Sequence, residues 1–433
     1  MATQQFVIEG GHPLNGKLEV GGNKNAVLKL MAACLLTDQP VTLTNVPDIL
    51  DVRVMAEILR KLGASVSYAE AERRMTIHAE RLHTHEVDAA LSGRLRASLV
   101  LAGALLGRLG KVWLPFPGGD AIGRRRVDTH LLALRKLGAQ IEVARGFRMQ
   151  ADQLRGASIL LDEASVTATE DAILAAARAK GTTVIRNAAC EPHVQDLCNF
   201  LTMLGVPIEG IGSNQLTIHG AERLGGGTFR VGADYIEVAS YIGAAAITGG
   251  EVLIQNADPQ HLEMIELVYN KLGVHWEVRG QDIFVPRGQK MRIQNDLGNR
   301  IPVIKAQPWP AFPSDLLSIA LVIATQSSGA VIFHEWMYDG RLFFTDKLVS
   351  MGARIVLCDP HRALVQGHTP LRGDLTISSP DIRAGIALLL AALCARGTTV
   401  ICNVHHIDRG YERVEEKLKA LGARIERVTS PSG

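Results

Sequence analysis

Six copies of one short phrase organise this chain. In each copy, Leu or Met is followed by Gly and then by Ala or Val. The glycines are Gly63, Gly138, Gly205, Gly273, Gly352 and Gly422. Successive intervals are 75, 67, 68, 79 and 70 residues, so the chain consists of six units of similar length. A repeat of this size means that each unit is one supersecondary structure that buries its apolar face against its neighbours.

Each unit has the same predicted order of elements: a helix, a strand, a second helix that ends at the repeated Gly, and two further strands. The first helix is apolar nearly all round, as in residues 386–393, which is typical of a helix buried on every side. The second is amphipathic, as in residues 52–59. The Gly after it suits a helix C-terminus that needs a positive φ. The pattern predicts an α/β fold with helices inside and sheets outside.

The last unit lacks its two closing strands. Residues 6–20 match residues 364–377 in the spacing of their apolar residues, Pro and Gly, so we expect an N-terminal hairpin to complete the last unit. The six units then form two lobes of three. One lobe comprises residues 1–22 and 232–433, and the other comprises residues 23–231, with linkers near Gly21-Gly22 and residues 231–233.

Charge and composition exclude several classes of protein. Lys and Arg total 46 against 44 Asp and Glu, a net charge of +2, so a general nucleic-acid binder is not expected. The longest apolar run, residues 386–395, is much shorter than the ~20 residues of a membrane helix. No export signal is evident, and the six scattered cysteines indicate reduced thiols. We therefore expect a cytoplasmic protein without a membrane anchor, disulfide scaffold or metal site.

Polar residues open the otherwise apolar first helices. They lie in residues 23–25, 94–96, 165–167, 234–237, 314–315 and 381–383. Helix capping accounts for Ser165, Asp234, Ser314 and Asp381.

Capping does not account for Lys24, Arg96 or Arg383, because a cation at a helix N-terminus opposes the helix dipole. Helix N-termini that converge with added cations form an anion site. The pattern predicts an anionic, phosphorylated substrate between the lobes, with solvated surface charge as the alternative.

The second unit contains an inserted loop. From the end of its first strand to the repeated Gly it has 23 residues, whereas units one, three, four and six have 17–19. The added residues, 117–126, include Gly118, Gly119 and Asp120 followed by three arginines. They favour a mobile loop that closes on an anion, although Gly-Gly-Asp is also typical of a simple turn. The phosphate-binding spacing of an ATPase loop is absent.

Residues 405–413, His-His-Ile-Asp-Arg-Gly-Tyr-Glu-Arg, also concentrate chemically active side chains before an amphipathic helix. Asp408 and Arg409 fit either a salt bridge or a phosphate site.

Together, these motifs resemble the enolpyruvyl transferases. The resemblance covers essentially the whole chain. It rests on seven separated motifs: Lys24-Asn25, Arg96-Ala97-Ser98, the Pro-Gly-Gly-x-Ala-Ile-Gly loop, Arg125 with Val127-Asp128, residues 311–315, residues 381–384 and residues 406–413. It implies a pair of inside-out α/β lobes, each with pseudo-threefold symmetry. It also implies enolpyruvyl transfer from phosphoenolpyruvate to UDP-N-acetylglucosamine in peptidoglycan precursor synthesis, with no metal or organic cofactor.

The resemblance also assigns roles to residues. Phosphoenolpyruvate would be bound by Lys24, Asn25, Arg125, Arg383 and Arg409. The UDP-sugar would be bound by Asn25, Arg96, Arg125, Val127, Asp128, Ser165, Val166, Thr167, Asp315 and Met337. Asp315 would accept the proton of the sugar 3-hydroxyl, and Asp120 would donate a proton to carbon.

The sequence departs from the usual family pattern at several positions. Asp120 occupies the loop position of a common Cys, which predicts insensitivity to an epoxide that alkylates that Cys. Glu163 stands where Lys is usual and Thr167 where Gly is usual, and residues 337–341 are atypical. Alternative functions are transfer to shikimate 3-phosphate, transfer to another nucleotide, and an inactive binding paralogue.

Overall fold

The computed structural model describes residues 3–119 and 122–430, so Asp120 and Ala121 of the inserted loop lie outside the described residues. The α-helices are α1 (Lys24–Ala33), α2 (Leu50–Leu62), α3 (Ala89–Ser92), α4 (Leu101–Leu109), α5 (Asp128–Lys136), α6 (Val166–Ala176), α7 (Pro192–Met203), α8 (Tyr235–Thr248), α9 (Glu263–Lys271), α10 (Ser314–Gln326), α11 (Thr345–Ser350), α12 (Ile382–Cys394), α13 (His405–Asp408) and α14 (Val414–Ala420). Short 3₁₀ helices span Cys34–Leu36, Glu70–Glu72, Arg96–Val100 and Pro259–His261.

The β-strands are β1 (Thr3–Glu9), β2 (Asn15–Glu19), β3 (Val41–Thr44), β4 (Ser65–Ala69), β5 (Arg74–His78), β6 (Lys111–Pro115), β7 (Gln140–Val143), β8 (Gly146–Gln150), β9 (Ser158–Leu160), β10 (Thr182–Arg186), β11 (Ile208–Glu209), β12 (Gln215–His219), β13 (Gly227–Arg230), β14 (Glu251–Gln255), β15 (Glu277–Arg279), β16 (Asp282–Val285), β17 (Val303–Lys305), β18 (Gly329–His334), β19 (Arg354–Asp359), β20 (Arg362–Gly367), β21 (Leu375–Ser378), β22 (Thr398–Cys402) and β23 (Arg424–Ser430).

The chain divides into two compact units. The terminal unit comprises Met1–Gly21, Ala121–Arg125 and Ala233–Gly433, and the central unit comprises Gly22–Asp120 and Arg126–Gly232. The predicted assignment of the whole inserted loop to the central lobe therefore differs from the structure. Residues 122–125 belong to the terminal unit because the Gly340 N–H donates a hydrogen bond of 3.0 Å to the Ile122 carbonyl oxygen.

The central unit has three apolar helices in its interior, α1, α4 and α6, whose residues are almost all buried. Among its described residues, three sheets pack outside these helices, with strand orders β13-β3-β5-β4, β6-β8-β7 and β11-β12-β10-β9. Side chains such as Leu30, Leu105 and Leu174 are completely buried. Sheets of this kind need one covered face, and the interior helices supply it.

The terminal unit repeats this architecture. Helices α8, α10 and α12 form its interior. In its described part, the three sheets have the orders β15-β16-β14-β2, β17-β18-β20-β19 and β21-β22-β1-β23. The predicted inside-out α/β fold with threefold repetition in each half is therefore confirmed.

The repeated glycines end the second helix of each unit. All six have positive φ, between 87° at Gly273 and 112° at Gly63. This confirms the prediction, since only Gly adopts that conformation at no steric cost.

The two N-terminal strands belong to different sheets. Strand β1 lies between β22 and β23 and is antiparallel to both, whereas β2 is parallel to β14. This corrects the expected N-terminal hairpin. Strand β13, which precedes α8, is correspondingly parallel to β3. Strand β2 is the last strand before the chain passes into the central unit, and β13 is the last strand before it returns to the terminal unit. Each pairs with a strand of its own unit, β14 or β3, although the helix that follows it belongs to the other unit.

No helix within the described residues is both long enough and apolar enough to cross a lipid bilayer.

Candidate functional site

Helix α1 begins with a buried cation. The Asn23 carboxamide oxygen caps the helix by accepting the Ala26 N–H at 3.0 Å. Lys24 follows, and its Nζ lies 2.9 Å from Oδ2 of Asp51 on α2, with both side chains buried. Asp51 offsets a charge that the helix dipole disfavours. Asn25 is partly exposed beside Lys24.

Arg96 opens the 3₁₀ helix that leads into α4. Its Nη2 donates to the Arg126 carbonyl oxygen at 3.2 Å, directly before Val127 and the first residue of α5, Asp128. The central unit therefore brings Arg96 together with the predicted sugar-binding residues Val127 and Asp128.

Arg126 faces three carboxylates. Its guanidinium lies 2.9 Å from Asp162, 3.3 Å from Asp128 and 3.8 Å from Glu163. These contacts raise the pKa of Arg126, with the Asp162 hydrogen bond contributing most. Because the pairs are exposed, each stabilises the fold only slightly. Glu163, one of the departures from the family pattern, thus belongs to an acidic group around Arg126.

Helix α6 begins beside these acids. Ser165 occupies the N-cap position, but its hydroxyl makes no capping hydrogen bond, so the capping prediction is wrong for this residue. Val166 and Thr167 follow, both partly exposed. The Thr167 hydroxyl lies 2.9 Å from Nε2 of His130 on α5. A Gly at this position would lack that contact.

Asp315, at the start of α10 in the terminal unit, lies between two guanidiniums. Its Oδ1 is 3.1 Å from Nη2 of Arg341, and its Oδ2 is 2.9 Å from Nη2 of Arg383. Both arginines are buried, whereas the Asp315 side chain is 29% exposed. Burial disfavours the charge of Arg383, but Asp315 and further acidic groups outweigh burial and raise its pKa. The carboxylate is thus held in place with one side open to solvent.

Two aspartates cap the interior helices of the terminal unit as predicted. Oδ1 of Asp234 accepts the N–H groups of residues 236 and 237, and Oδ1 of Asp381 accepts those of residues 383 and 384.

Ser314 does not cap its helix, which corrects the expectation. The helix begins at Ser314 itself, with Pro313 at the N-cap position. The Ser314 hydroxyl instead donates to Oε2 of the buried Glu335 at 2.5 Å.

Met337 lies on a segment that Glu335 fixes to the start of α10. Oε1 of Glu335 accepts the Met337 N–H at 2.9 Å, while its other oxygen binds Ser314. The Arg341 guanidinium lies over the Tyr338 ring, 4.9 Å from its centroid. Burial raises the pKa of Tyr338, and the charges of Arg341 and Arg125 oppose the rise. The terminal unit thus brings Met337, Arg125 and Asp315 into one neighbourhood.

Arg409 follows α13 and is partly buried. Its neighbour Asp408 forms a salt bridge with Arg427, at 2.7 and 2.8 Å, so Asp408 serves as a salt-bridge partner. Tyr411 is buried, with its hydroxyl 2.9 Å from that of Ser240 on α8. These contacts fix the segment on both sides of Arg409.

Sequence reasoning missed Asp51 and Arg341 as partners of Lys24 and Asp315. An acid on the buried face of an amphipathic helix was the available signal for Asp51. Arg341 lies in the segment noted only as atypical. The proton donor predicted at Asp120 lies outside the described residues.

The two units present similar chemistry at the starts of their interior helices. In the central unit the cations are Lys24 and Arg96, and in the terminal unit they are Arg383 and its neighbour Arg341. Clustered cations at helix N-termini bind phosphate and carboxylate groups. A partly exposed carboxylate such as Asp315 can accept a proton from a hydroxyl.

Comparison with known proteins agrees with this chemistry. The family model described as EPSP synthase (3-phosphoshikimate 1-carboxyvinyltransferase) matches residues 8–418. A UDP-N-acetylglucosamine 1-carboxyvinyltransferase of Bradyrhizobium diazoefficiens is 52% identical over 428 residues, 99% of each chain. One of Treponema denticola is 49% identical over 423 residues, 98% of this chain and 99% of that protein.

Solved structures share the fold. The enolpyruvyl transferase NikO from Streptomyces tendae superposes with a TM-score of 0.88 at 27% identity, over 100% of both chains. An EPSP synthase from Acinetobacter baumannii superposes with a TM-score of 0.75 at 19% identity, over 98% of this chain and 100% of that chain.

Proposed function

The chain belongs to the enolpyruvyl transferase family, and on that premise we propose that it transfers the enolpyruvyl group of phosphoenolpyruvate to the 3-hydroxyl of UDP-N-acetylglucosamine, with release of phosphate. The acceptor follows the printed function of relatives about half identical over nearly the whole chain. The observation that carries the chemistry is the partly exposed Asp315 carboxylate held by two buried guanidiniums.

In the proposed first step, the Asp315 carboxylate takes the proton of the sugar 3-hydroxyl. The oxygen then bonds to C2 of phosphoenolpyruvate, while C3 receives a proton and becomes a methyl group. We assign that proton to Asp120, whose carboxyl group can act as an acid if burial raises its pKa. The product of this step is a tetrahedral adduct that still carries the phosphate.

In the second step, the Asp120 carboxylate takes a proton back from the methyl group as the C2–O bond to phosphate breaks and the C2–C3 double bond forms. The products are inorganic phosphate and the enolpyruvyl ether of the sugar. Both steps move negative charge among carboxylate and phosphate oxygens, and fixed cations stabilise such charge in the transition state.

Phosphoenolpyruvate carries a phosphate and a carboxylate, and we assign them to Lys24, Asn25, Arg125, Arg383 and Arg409. The burial of Lys24 and Arg383 supports this assignment, because a cation in a low-dielectric setting interacts strongly with an anion.

We assign the UDP-sugar to Asn25, Arg96, Arg125, Val127, Asp128, Ser165, Val166, Thr167, Asp315 and Met337. Two contacts support this assignment. Arg96 binds the segment before Val127, and Glu335 binds the backbone of Met337, so these assigned residues are held in fixed positions.

The proposed reaction is the first committed step of peptidoglycan precursor synthesis. A role in cell-wall formation, and through it in cell shape and division, follows from the proposal. The proposal also implies a cytoplasmic enzyme, because phosphoenolpyruvate is made in the cytoplasm.

Phosphate release from phosphoenolpyruvate tests the proposal. Release is expected with UDP-N-acetylglucosamine and not with shikimate 3-phosphate, UMP or buffer alone. Release only with shikimate 3-phosphate or UMP would overturn the acceptor. No release with any acceptor, while phosphoenolpyruvate still binds, would overturn the enzyme and favour a binding protein.

A further inference from the structure

Two consecutive acids on α6 are completely buried. Glu170 and Asp171 are 0% and 1% exposed, in a helix whose other buried residues are Ala, Ile, Leu and one Thr. Burying a carboxylate is costly unless a partner compensates it. Each of the two acids meets a different interior helix of the central unit.

Glu170 faces α1. Its Oε2 lies 3.4 Å from Nζ of Lys29, and both side chains are at most 4% exposed. Lys29 is five residues beyond Lys24, so the pair lies roughly 8 Å along α1 from the residue that we assign to phosphoenolpyruvate. Glu170 is three residues beyond Thr167, or about 5 Å along α6 from the segment that we assign to the UDP-sugar.

Asp171 faces α4. Its Oδ1 accepts the Gly103 N–H at 2.5 Å. A side chain on Gly103 would collide with the Asp171 backbone and carboxylate. This close approach fixes α6 against α4, and the Lys29–Glu170 pair adds an ionic contact between α6 and α1.

The surroundings of Glu170 contain further titratable groups. Lys29 faces it from α1, Asp171 adjoins it, and Glu191 and Cys198 face it from the start and middle of α7. Burial raises the pKa of Glu170 to about 8, Lys29 opposes the rise, and Glu191 adds to it.

The terminal unit shows that the fold does not require this pair. There, the Ser318 hydroxyl joins α10 to the Arg383 carbonyl oxygen of α12 at 3.0 Å. Gly243 of α8 packs directly against the side chains of Ile319 and Ile323. An ion pair between Asp315 and Arg383 joins α10 to α12 at the helix starts, but further along α10, at Ser318 and Ile319, these contacts between the interior helices are neutral. A buried ion pair is also rarely more stabilising than apolar side chains of the same volume, so stability does not explain its presence.

We propose that Lys29 and Glu170 are positioning residues, whose ion pair sets the distance between the first turns of α1 and α6. Through that distance it aligns Lys24 and Asn25 with Ser165, Val166 and Thr167. The inference rests on the proposed function, since it acts through residues that the proposal assigns to the substrates.

The test is the double variant Lys29→Met/Glu170→Leu, which replaces the pair by apolar side chains. Near pH 9, where Glu170 is charged, we expect an unchanged or higher Tm, with a roughly ten- to hundredfold loss of kcat/KM that falls mainly on the KM values of the two substrates. Hydrogen exchange should accelerate at the amides of residues 26–28 and 168–170. The control Lys271→Met/Asp296→Leu removes an ion pair of 2.6 Å in the terminal unit and should match wild type.

A double variant with wild-type Tm, kinetics and exchange would overturn the proposal. Glu170→Gln keeps the size of the side chain and covers the case in which the double variant does not fold. It should match wild type near pH 6, where Glu170 is neutral, and show higher KM values than wild type near pH 9. If Glu170→Gln and wild type have equal KM values at pH 9 as well as at pH 6, the proposal is also overturned. If wild type itself releases no phosphate, the proposed function fails, and the exchange measurement still decides the positioning role.

Discussion

Replacing Asp315 with Asn removes one negative charge and almost no volume. The carboxylate is the nearest counter-charge of Arg341 and Arg383, at 3.1 and 2.9 Å. Both guanidiniums are buried, so the variant leaves two like charges close together with less compensation. We therefore expect Asp315→Asn to lower both stability and activity.

The size of the stability loss follows from the burial of the three groups. Removing one partner of a buried ion pair costs about 3–5 kcal/mol. The Asp315 side chain is 29% exposed, and the Asn oxygen still accepts one hydrogen bond, so we expect about 2–3 kcal/mol. For a unit of this size, that corresponds to a fall in Tm of roughly 5–10 °C. Loss of a general base lowers kcat by about 10²- to 10⁴-fold.

Calorimetry and the phosphate-release assay measure the two effects separately. Asp346→Asn is the matched control, because it removes an exposed acid of the same unit that pairs with Lys347 at 2.7 Å. It should cost less than about 1 kcal/mol and leave kcat unchanged. If Asp315→Asn keeps kcat within about twofold of wild type, Asp315 is not the base. If its Tm is also unchanged, the electrostatic account of this site is wrong.

Three further predictions concern other parts of the chain. Gly63→Ala should lower the free energy of unfolding more than Gly205→Ala does. Both glycines have φ above 100°, but an added Cβ would meet the His83 backbone at Gly63 and no atom at Gly205. Equal losses of the two variants in urea titrations would contradict the packing at that helix end. Wild type should resist inactivation by the Cys-alkylating epoxide, and Asp120→Cys should become sensitive in a time-dependent assay; inactivation of wild type would argue against this reading of the loop. Burial raises the pKa of Glu170 from 4.5 to about 8, so between these pH values the native state binds more protons than the unfolded state, and the free energy of unfolding should fall as pH rises. Glu170→Gln should flatten this pH dependence in denaturant titrations from pH 5 to 8. The same pH dependence in the variant and in wild type would contradict the raised pKa.

The fold was predictable because its determinants are local. The repeated glycines end helices wherever they occur, and each requires only a positive φ at one residue. The first helix of each unit is likewise predictable from its own residues, because a helix that is apolar nearly all round is buried on every side. The pairing of β2 with β14 was not predictable in this way, because it depends on where the chain passes from one unit to the other, and the strand residues carry no sign of it.

The site was predictable in part for a similar reason. Lys24, Arg96 and Arg383 stand out because a cation at a helix start conflicts with the local dipole. Ser165 and Ser314 resemble caps in sequence, but the Ser165 hydroxyl makes no capping hydrogen bond and the Ser314 hydroxyl donates to Glu335 instead. The pairing of Arg341 with Asp315 joins residues 26 apart, and only the folded chain shows which acid this arginine meets.

The central claim is that this chain forms an enolpyruvyl ether at the sugar 3-hydroxyl. The most direct measurement is NMR spectroscopy of the product formed from carbon-13-labelled phosphoenolpyruvate and UDP-N-acetylglucosamine. We predict labelled vinyl signals coupled through oxygen to C3 of the sugar, with one phosphate released for each molecule of product. Phosphate release without a labelled sugar product, or a label on another acceptor oxygen, would contradict the claim.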